Sequence, residues 1–455
     1  MPRSETSLEN GNITVLFNYL VAVPLFVVIK GLYYLILFPS AMFLFTHTAI
    51  MFRHPDINTP QIDRVGFILL ILSAFGYSLF KRTRVLFVEP IVFYMISITV
   101  LALISVLDVP FDAQSWSQLA NKFVVPFTMY YVAKIVFDNE QAVGHYFMFA
   151  LLVTMYLVFI SIMTVMNINI LVIPQYILDP NLGPPEHVLR ARGPFLSAVP
   201  NGTAISILGF TVLYWLKKKK AHPLFSSLMF ILISISIFAT MTRAIWLSYV
   251  FLVCCLSLNN RLFRLNKAKL ALVLISLVSF FFLVKYAGLA KFASERLHDQ
   301  ENIVFRTNLY EAGFKIFSEK PLLGWGINRS PALLPKYLSD YKDNVLVHNS
   351  YLEILMELGI VGLIIYILIF LQCFKIGAQI YRSDNKNQTS LIDADFVFLW
   401  RVFLVVYLIN GMFVVMNYQF VNAMIFTIAG IISVAEKRVD HSYKSEVWAY
   451  ESQSI

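Results

Sequence analysis

Charge is scarce in this sequence. Asp, Glu, Lys and Arg together make up 14% of its 455 residues, against about 25% in soluble domains. A soluble chain of this length would lack the polar cover for its surface. Cysteine is scarcer still, with Cys254, Cys255 and Cys373 all in apolar runs. Neighbouring cysteines do not readily bridge, and no zinc-ligand spacing is present, so a disulfide scaffold and a thiolate metal site are excluded and buried thiols remain. The N-terminal MPRSETSLENGN lacks a basic stretch leading into an apolar core and a small-residue cleavage site, so no cleaved signal peptide is expected. There is no internal repeat, low-complexity tract or separate soluble domain. What is abundant is apolar: 58% of residues, 15% aromatic, in repeated long runs. The class is an all-α polytopic membrane protein. The net charge of +9 sits mostly beside apolar runs, which is a topology signal and not a nucleic-acid-binding face.

A bilayer crossing takes about 20 apolar residues. Candidate spans are 13–29, 32–52, 64–80, 86–107, 119–137, 144–166, 196–216, 223–239, 244–259, 268–286, 350–373, 396–415 and 419–435. Residues 13–52 are broken only by Lys30 and Gly31, so the first of these is a span or an interfacial helix, and the expected count is about 12 (12–13). Basic residues cluster at Lys81–Arg84, Lys217–Lys220, Arg261–Lys269, Lys375–Lys386 and Lys437–Arg438, whereas loop 108–118 has no Lys or Arg. Alternating spans put all these clusters on one side, the cytoplasm, with the C-terminus. Two connections, 167–195 and 287–349, exceed ordinary loop lengths. Both fall on the opposite, extracytoplasmic side, where function is expected. The expected division is 1–166, N-terminal transmembrane helices; 167–435, a catalytic membrane domain with both long loops; and 436–455, a cytoplasmic tail.

Three places in that second region carry chemistry. Loop 167–195 ends in VLRARGPFLSAVPNGTA, where Arg190 and Arg192 stand just before a span on the side that disfavours basic residues. They are lipid-headgroup anchors or a substrate site. In ATMTRAIW, Arg243 is an isolated charge between two short apolar runs, a costly position that argues for function. In VHNSYLEILMELGIVG, Ser350 and Glu353 have the form of a capping box. His348 then stands at a helix N-terminus, where the dipole disfavours imidazolium and keeps a general base neutral. Asn349 belongs to the same polar start. Glu353 and Glu357 lie one turn apart, and Glu357, two turns into the apolar run, needs a cationic partner, with an arginine from another span the obvious candidate. NIVFRTNLYEAGFKIFSEK reads as an amphipathic surface helix ended by Pro321, with Leu309, Ala312, Ile316 and Phe317 on its apolar face and Arg306 and Tyr310 paired at i, i+4. The loop's eight Lys and Arg nearly balance its seven Asp and Glu, so an anion site there must come from particular arginines. Asp393-Ala394-Asp395 has the D-x-D form of metal-dependent glycosyltransferases but falls on the cytoplasmic side and reads as a helix start; no metal site is expected.

The order of motifs resembles the bacterial O-antigen ligase and polymerase superfamily, the O-antigen ligase-related membrane glycosyltransferases. The residues that carry the resemblance are Arg190 to Asn201, Thr240 to Arg243, Pro321 to Gly326 and His348 to Gly362. It covers roughly residues 186–435. Asn201 lies farther from Gly193 than the usual pattern has it, and spacing to that glycine favours Arg190 over Arg192 as the first arginine. The resemblance implies a GT-C-type membrane fold with a long extracytoplasmic loop, in the bacterial plasma membrane. It also implies metal-independent, inverting transfer without a cofactor. The donor would be an undecaprenyl-diphosphate-linked glycan at the outer leaflet, and the acceptor a growing glycan or lipid A–core, with chain-length regulators or export proteins as further partners. Arg190, Arg243 and His348 would be catalytic; Arg192, Arg306, Tyr310, Asn349, Glu353 and Glu357 would bind diphosphate or glycan. Two other classes compete. One is a lipid-linked oligosaccharide flippase or exporter, which predicts pseudo-symmetric halves and short loops. The other is a mannosyltransferase-like enzyme with acidic residues in its first outer loop, where Asp56 and Asp63 lie.

Overall fold

The computed structural model describes residues 38–53, 61–81, 89–184, 187–258, 301–338, 345–382 and 390–453, with four isolated helical positions between 275 and 285; in the last helix, side chains are described as far as Val439. Among the described residues all regular structure is helical. The helices are α1 (Pro39–Met51), α2 (Ile62–Lys81), α3 (Pro90–Leu107), α4 (Ala113–Leu119), α5 (Val125–Val136), α6 (Glu140–Val165), α7 (Ala198–Lys218), α8 (Pro223–Ala239), α9 (Arg243–Leu258), α10 (Glu301–Glu319), α11 (Ser330–Leu333), α12 (Ser350–Lys375), α13 (Ala378–Arg382), α14 (Ala394–Gly411) and α15 (Gln419–Gln453). Several starts were marked in the sequence. Pro39, Pro90 and Pro223 open α1, α3 and α8, where a missing N–H costs nothing. Asn139 and Asp393 cap α6 and α14 with their side-chain oxygens.

Among the described residues seven helices are long and apolar enough to cross a bilayer, namely those within 62–80, 90–107, 140–165, 198–218, 350–382, 394–411 and 419–439; α8 and α9 are apolar but shorter. The expected span 13–29 lies outside the described residues, and 268–286 does so apart from the isolated positions. The expected span 119–137 differs in form. Its helix begins earlier, at Ala113, and passes through a π-helical turn, Ala120–Val124, before α5. α15 packs along α5, and Gly430 allows the approach, since a Cβ there would stand 2.5 Å from the Tyr130 carbonyl oxygen.

Contacts sort the helix ends into two groups. At one end Arg53 donates to Asn121, Gln419 and Ser117, the Ile327 N–H donates to Ser105, and the Ser350 hydroxyl donates to the Val414 carbonyl. At the other end Lys218 pairs with Asp393, Lys134 and Lys437 pair with Glu89, and Arg438 pairs with Glu140. α7, whose 21 residues span about 30 Å, and α15, with Gln419 at the first end and Lys437 at the second, both link the two. The described members of the basic clusters, Lys81, Lys217–Lys220, Lys375, Arg382, Lys437 and Arg438, belong to the second end.

α12 is broken at Gly359 (φ 65°, ψ −167°). A break inside an apolar helix leaves backbone groups without partners, which is tolerated only where protein re-satisfies them. The segment after α10 does so. Trp325 and Gly326 N–H groups donate to the carbonyls of Met356 and Glu357, and the Ile360 N–H donates to Pro321. Gly324 and Gly359 are left-handed, and a Cβ on either would lie within 2.4 Å of the facing backbone. The PLLGWG and E-x-G-x-x-G motifs are therefore two halves of one joint. The apolar stripe of α10 is covered by protein, which corrects the expectation of a helix on the membrane surface. Leu309, Ala312 and Ile316 are buried against Leu352, Met356, Leu334 and Val415, with Phe317 only half-buried.

Candidate active site

At the first end of the bundle lies a cavity of about 580 Å³, with Arg190, Arg243, Arg306 and His348 in its wall. These come from two separate loops, the start of α9 and α10, so the chain brings together residues more than 150 positions apart. The remaining wall includes His187, Ser197, Thr242 and Tyr418 among polar groups, and Leu247, Phe305 and Phe413 among apolar ones.

The loop carrying Arg190 is anchored by its neighbours. The Ala191 N–H donates to the Ala239 carbonyl at 3.0 Å. The buried Asn201 amide donates to the Ala191 carbonyl at 2.8 Å and to the Ser161 hydroxyl at 3.0 Å. Asn201 thus fixes the peptide between the two arginines to α6 and α7. Gly193 follows with φ 55°, and a Cβ there would stand 2.4 Å from the Asn201 amide oxygen. The two arginines part company at this point. Arg190 reaches the cavity, whereas the fully buried Arg192 donates to the carbonyls of Ile177 (2.7 Å), Leu182 (2.7 Å) and Asp179 (2.6 Å). Burial lowers its pKa against the opposing pull of Asp179. Its guanidinium folds the loop and is not in the cavity wall.

Arg243 is the first residue of α9. The turn before it is pinned by the Thr242 hydroxyl donating to the Thr240 carbonyl at 2.9 Å and the Trp246 indole donating to Phe238 at 3.1 Å. A cation at a helix N-terminus opposes the macrodipole by about 0.3–1 kcal/mol. His348 stands two residues before α12 in the left-handed region, φ 51°, and Met241 in the cavity wall has φ 45°. Such residues cost about 1–3 kcal/mol each and cluster at functional sites. The N-terminal ends of α7, α9 and α12 all meet the cavity, through Ser197, Arg243 and His348. Three helix dipoles and three arginines converge on one space, an arrangement suited to a multiply charged anion.

The other expected site residues stand apart. Asn349 is the cap of α12, its side-chain oxygen accepting from Tyr351 and Leu352 at 2.9 and 3.0 Å. This corrects the expected capping box. The Ser350 hydroxyl instead bridges Val414 and Met416. Glu353 and Glu357 meet Lys122, at 3.1 and 2.7 Å, so the cation is a lysine from the π-turn and not the expected arginine. Glu353 also accepts from Asn417, and Glu357 from the Asn328 N–H. Tyr310 donates to the Met412 carbonyl at 3.3 Å, outside the cavity wall. Asp393 caps α14 and pairs with Tyr214 and Lys218, as a helix start. Asp63 pairs with Arg53, and Asp56 lies outside the described residues. Among the described residues no three His, Cys, Asp or Glu side chains converge on a point that would hold a metal ion.

Sequence reasoning missed four polar wall residues. His187 was within reach of it, three positions before Arg190 in the same turn, and its Nδ1 accepts from the Ala198 N–H at 3.3 Å. Ser197 and Thr242 sit inside motifs already singled out. Tyr418 carries no local signal, because only the packing of the α14–α15 connection brings it to the cavity. Burial holds its phenol pKa above the ordinary value, so it is an O–H group.

Residues 228–367 match the family described as O-antigen ligase. No curated protein matches the sequence. The matched stretch holds Arg243, Arg306, His348 and both halves of the α12 joint; Arg190 and the N-terminal helices lie outside it. Over that stretch the chain is similar to the O-antigen ligase family, and its apolar helices are those of a multi-pass membrane protein.

Proposed function

We propose that this chain, similar over residues 228–367 to the O-antigen ligase family, is an enzyme of that kind and transfers a glycan from undecaprenyl diphosphate, on the extracytoplasmic face of the plasma membrane, to a growing surface polysaccharide or to lipid A–core. The observation that carries this reading is the shared cavity of Arg190, Arg243, Arg306 and His348. The acceptor hydroxyl oxygen attacks the anomeric carbon as the bond to the diphosphate oxygen breaks, and one in-line displacement inverts that carbon. Negative charge builds on the leaving diphosphate. Guanidinium groups bind it with charge-assisted, bidentate hydrogen bonds. Interactions that strengthen as charge develops lower the barrier, and in this reading no metal is needed. His348 accepts the hydroxyl proton. The apolar wall, Leu247, Phe305 and Phe413, suits the start of the polyprenyl chain. The cavity lies opposite the basic helix ends, which supports an extracytoplasmic position.

The test is complementation of a deletion strain. The wild-type gene restores long surface glycan, while Arg243→Ala and His348→Ala, present in the membrane at normal levels, reduce it at least 100-fold. Normal transfer by either variant removes that residue from the mechanism. In the deletion strain, long lipid-linked polymer with bare lipid A–core indicates ligation, and single repeats in place of chains indicate polymerisation. Repeats held at the inner leaflet would instead support an exporter.

A further inference from the structure

The arginines account for a diphosphate, but they do not account for Ser197 and Tyr418, which line the same cavity. Ser197 occupies the N-cap position of α7 and its side chain makes no cap hydrogen bond. Serine at an N-cap ordinarily accepts from the second or third helical N–H. Here the His187 ring accepts from the first N–H instead. The Ser197 hydroxyl is directed to Tyr418, with the two hydroxyl oxygens 3.5 Å apart, and both residues line the cavity. Tyr418 is held in place from behind, where the Asn422 N–H donates to its carbonyl at 3.0 Å as α15 begins. Two neutral hydroxyls beside an aromatic ring are a poor match for phosphate in a space already supplied with three cations. They are a good match for a sugar ring, whose hydroxyls both donate and accept and whose C–H face lies on an aromatic surface.

We infer that Ser197 and Tyr418 form the glycan-recognition part of the cavity, reading the sugar of the lipid-linked donor next to its diphosphate. This rests on the transferase reading above and deepens it. The arginines hold the part common to every polyprenyl-diphosphate donor, and the hydroxyl pair distinguishes a glycosylated carrier from a bare one.

The test uses the full-length protein in lipid nanodiscs and two probes. One is undecaprenyl diphosphate. The other is the lipid-linked glycan that accumulates in cells deleted for this protein. The variants are Tyr418→Phe, which removes one oxygen and keeps the ring, and Ser197→Ala, which removes a hydroxyl that caps nothing. Each is expected to weaken binding of the glycan-linked probe about three- to tenfold, the range of one neutral hydrogen bond, and to leave bare undecaprenyl diphosphate unchanged. Thermal midpoints serve as the check on folding. Equal weakening of both probes would mean that the pair contacts phosphate, and unchanged affinity for both would mean a role in packing alone; either result overturns the inference. Failure of the wild-type protein to bind either probe is a different result, because it removes the transferase reading itself.

Discussion

At the scale of single residues, Arg190 and Arg192 show what sequence decides and what it does not. Both were visible as arginines placed against the orientation rule, and the spacing to Gly193 favoured the first. Which guanidinium faces the cavity depends on the carbonyls of Ile177, Asp179 and Leu182, and no pattern in the sequence announces where those point. The two positions therefore separate under mutation. Arg192→Ala leaves three carbonyls, one buried and two part-buried, without their donor, at about 1–3 kcal/mol for a buried unsatisfied group, so it lowers the thermal midpoint and the amount of folded protein. Arg190→Ala is expected to leave the midpoint within a few degrees and to lower glycan transfer in membranes at least tenfold. Thermal unfolding in detergent alongside a transfer assay checks both, and a stable but inactive Arg192→Ala protein would move that residue back to the substrate. Arg243 and His348 were easier to find, because a charge or a histidine at a helix start stands out in a chain with so little charge.

At the scale of elements, the glycines of PLLGWG and of the α12 motif were legible as glycines, but their mutual fit was not. Two segments more than thirty residues apart satisfy one another's backbone, and sequence order does not encode that pairing. Lys122 was hidden for a related reason. It stands inside the run ANKFVVPF, where one lysine does little to an apolar average, and its meaning comes from Glu353 and Glu357 on a helix far along the chain. All three side chains are at most 7% exposed. Removing one partner of such a cluster leaves an uncompensated buried charge and costs about 3–5 kcal/mol. Lys122→Met is expected to lower stability by that order, measured by thermal or denaturant unfolding in detergent. Adding Glu353→Gln and Glu357→Gln to it should recover most of the loss, since the stranded carboxylates are then gone. A triple variant no more stable than Lys122→Met would mean that the lysine supports the π-turn by packing and not through its charge.

At the scale of the whole molecule, the long apolar helices were legible because a lipid-facing helix is apolar over a long run and the loops carry the charge. The 223–239 run was placed to the residue. Bounds shifted where capping decides them, as at 113 and 394. The distribution of basic residues bears on sidedness. Positive charge is retained in the cytoplasm, and Lys217–Lys220, at the far end of α7 from Ser197, is the densest such cluster among the described residues. Glu311 is exposed on α10, and Lys219 is exposed beyond α7. With Cys254, Cys255 and Cys373 replaced, Glu311→Cys should react with a membrane-impermeant maleimide in intact spheroplasts. Lys219→Cys should react only after permeabilisation. The reverse pattern would put the arginine cavity in the cytoplasm, out of reach of a donor presented at the outer leaflet. The result bears on more than orientation. If Glu311→Cys labels from outside, a transferase of the proposed kind would meet lipid-linked glycans only after they have crossed the bilayer, so transfer would follow a separate translocation step and the polyprenyl diphosphate would be released on the outer side.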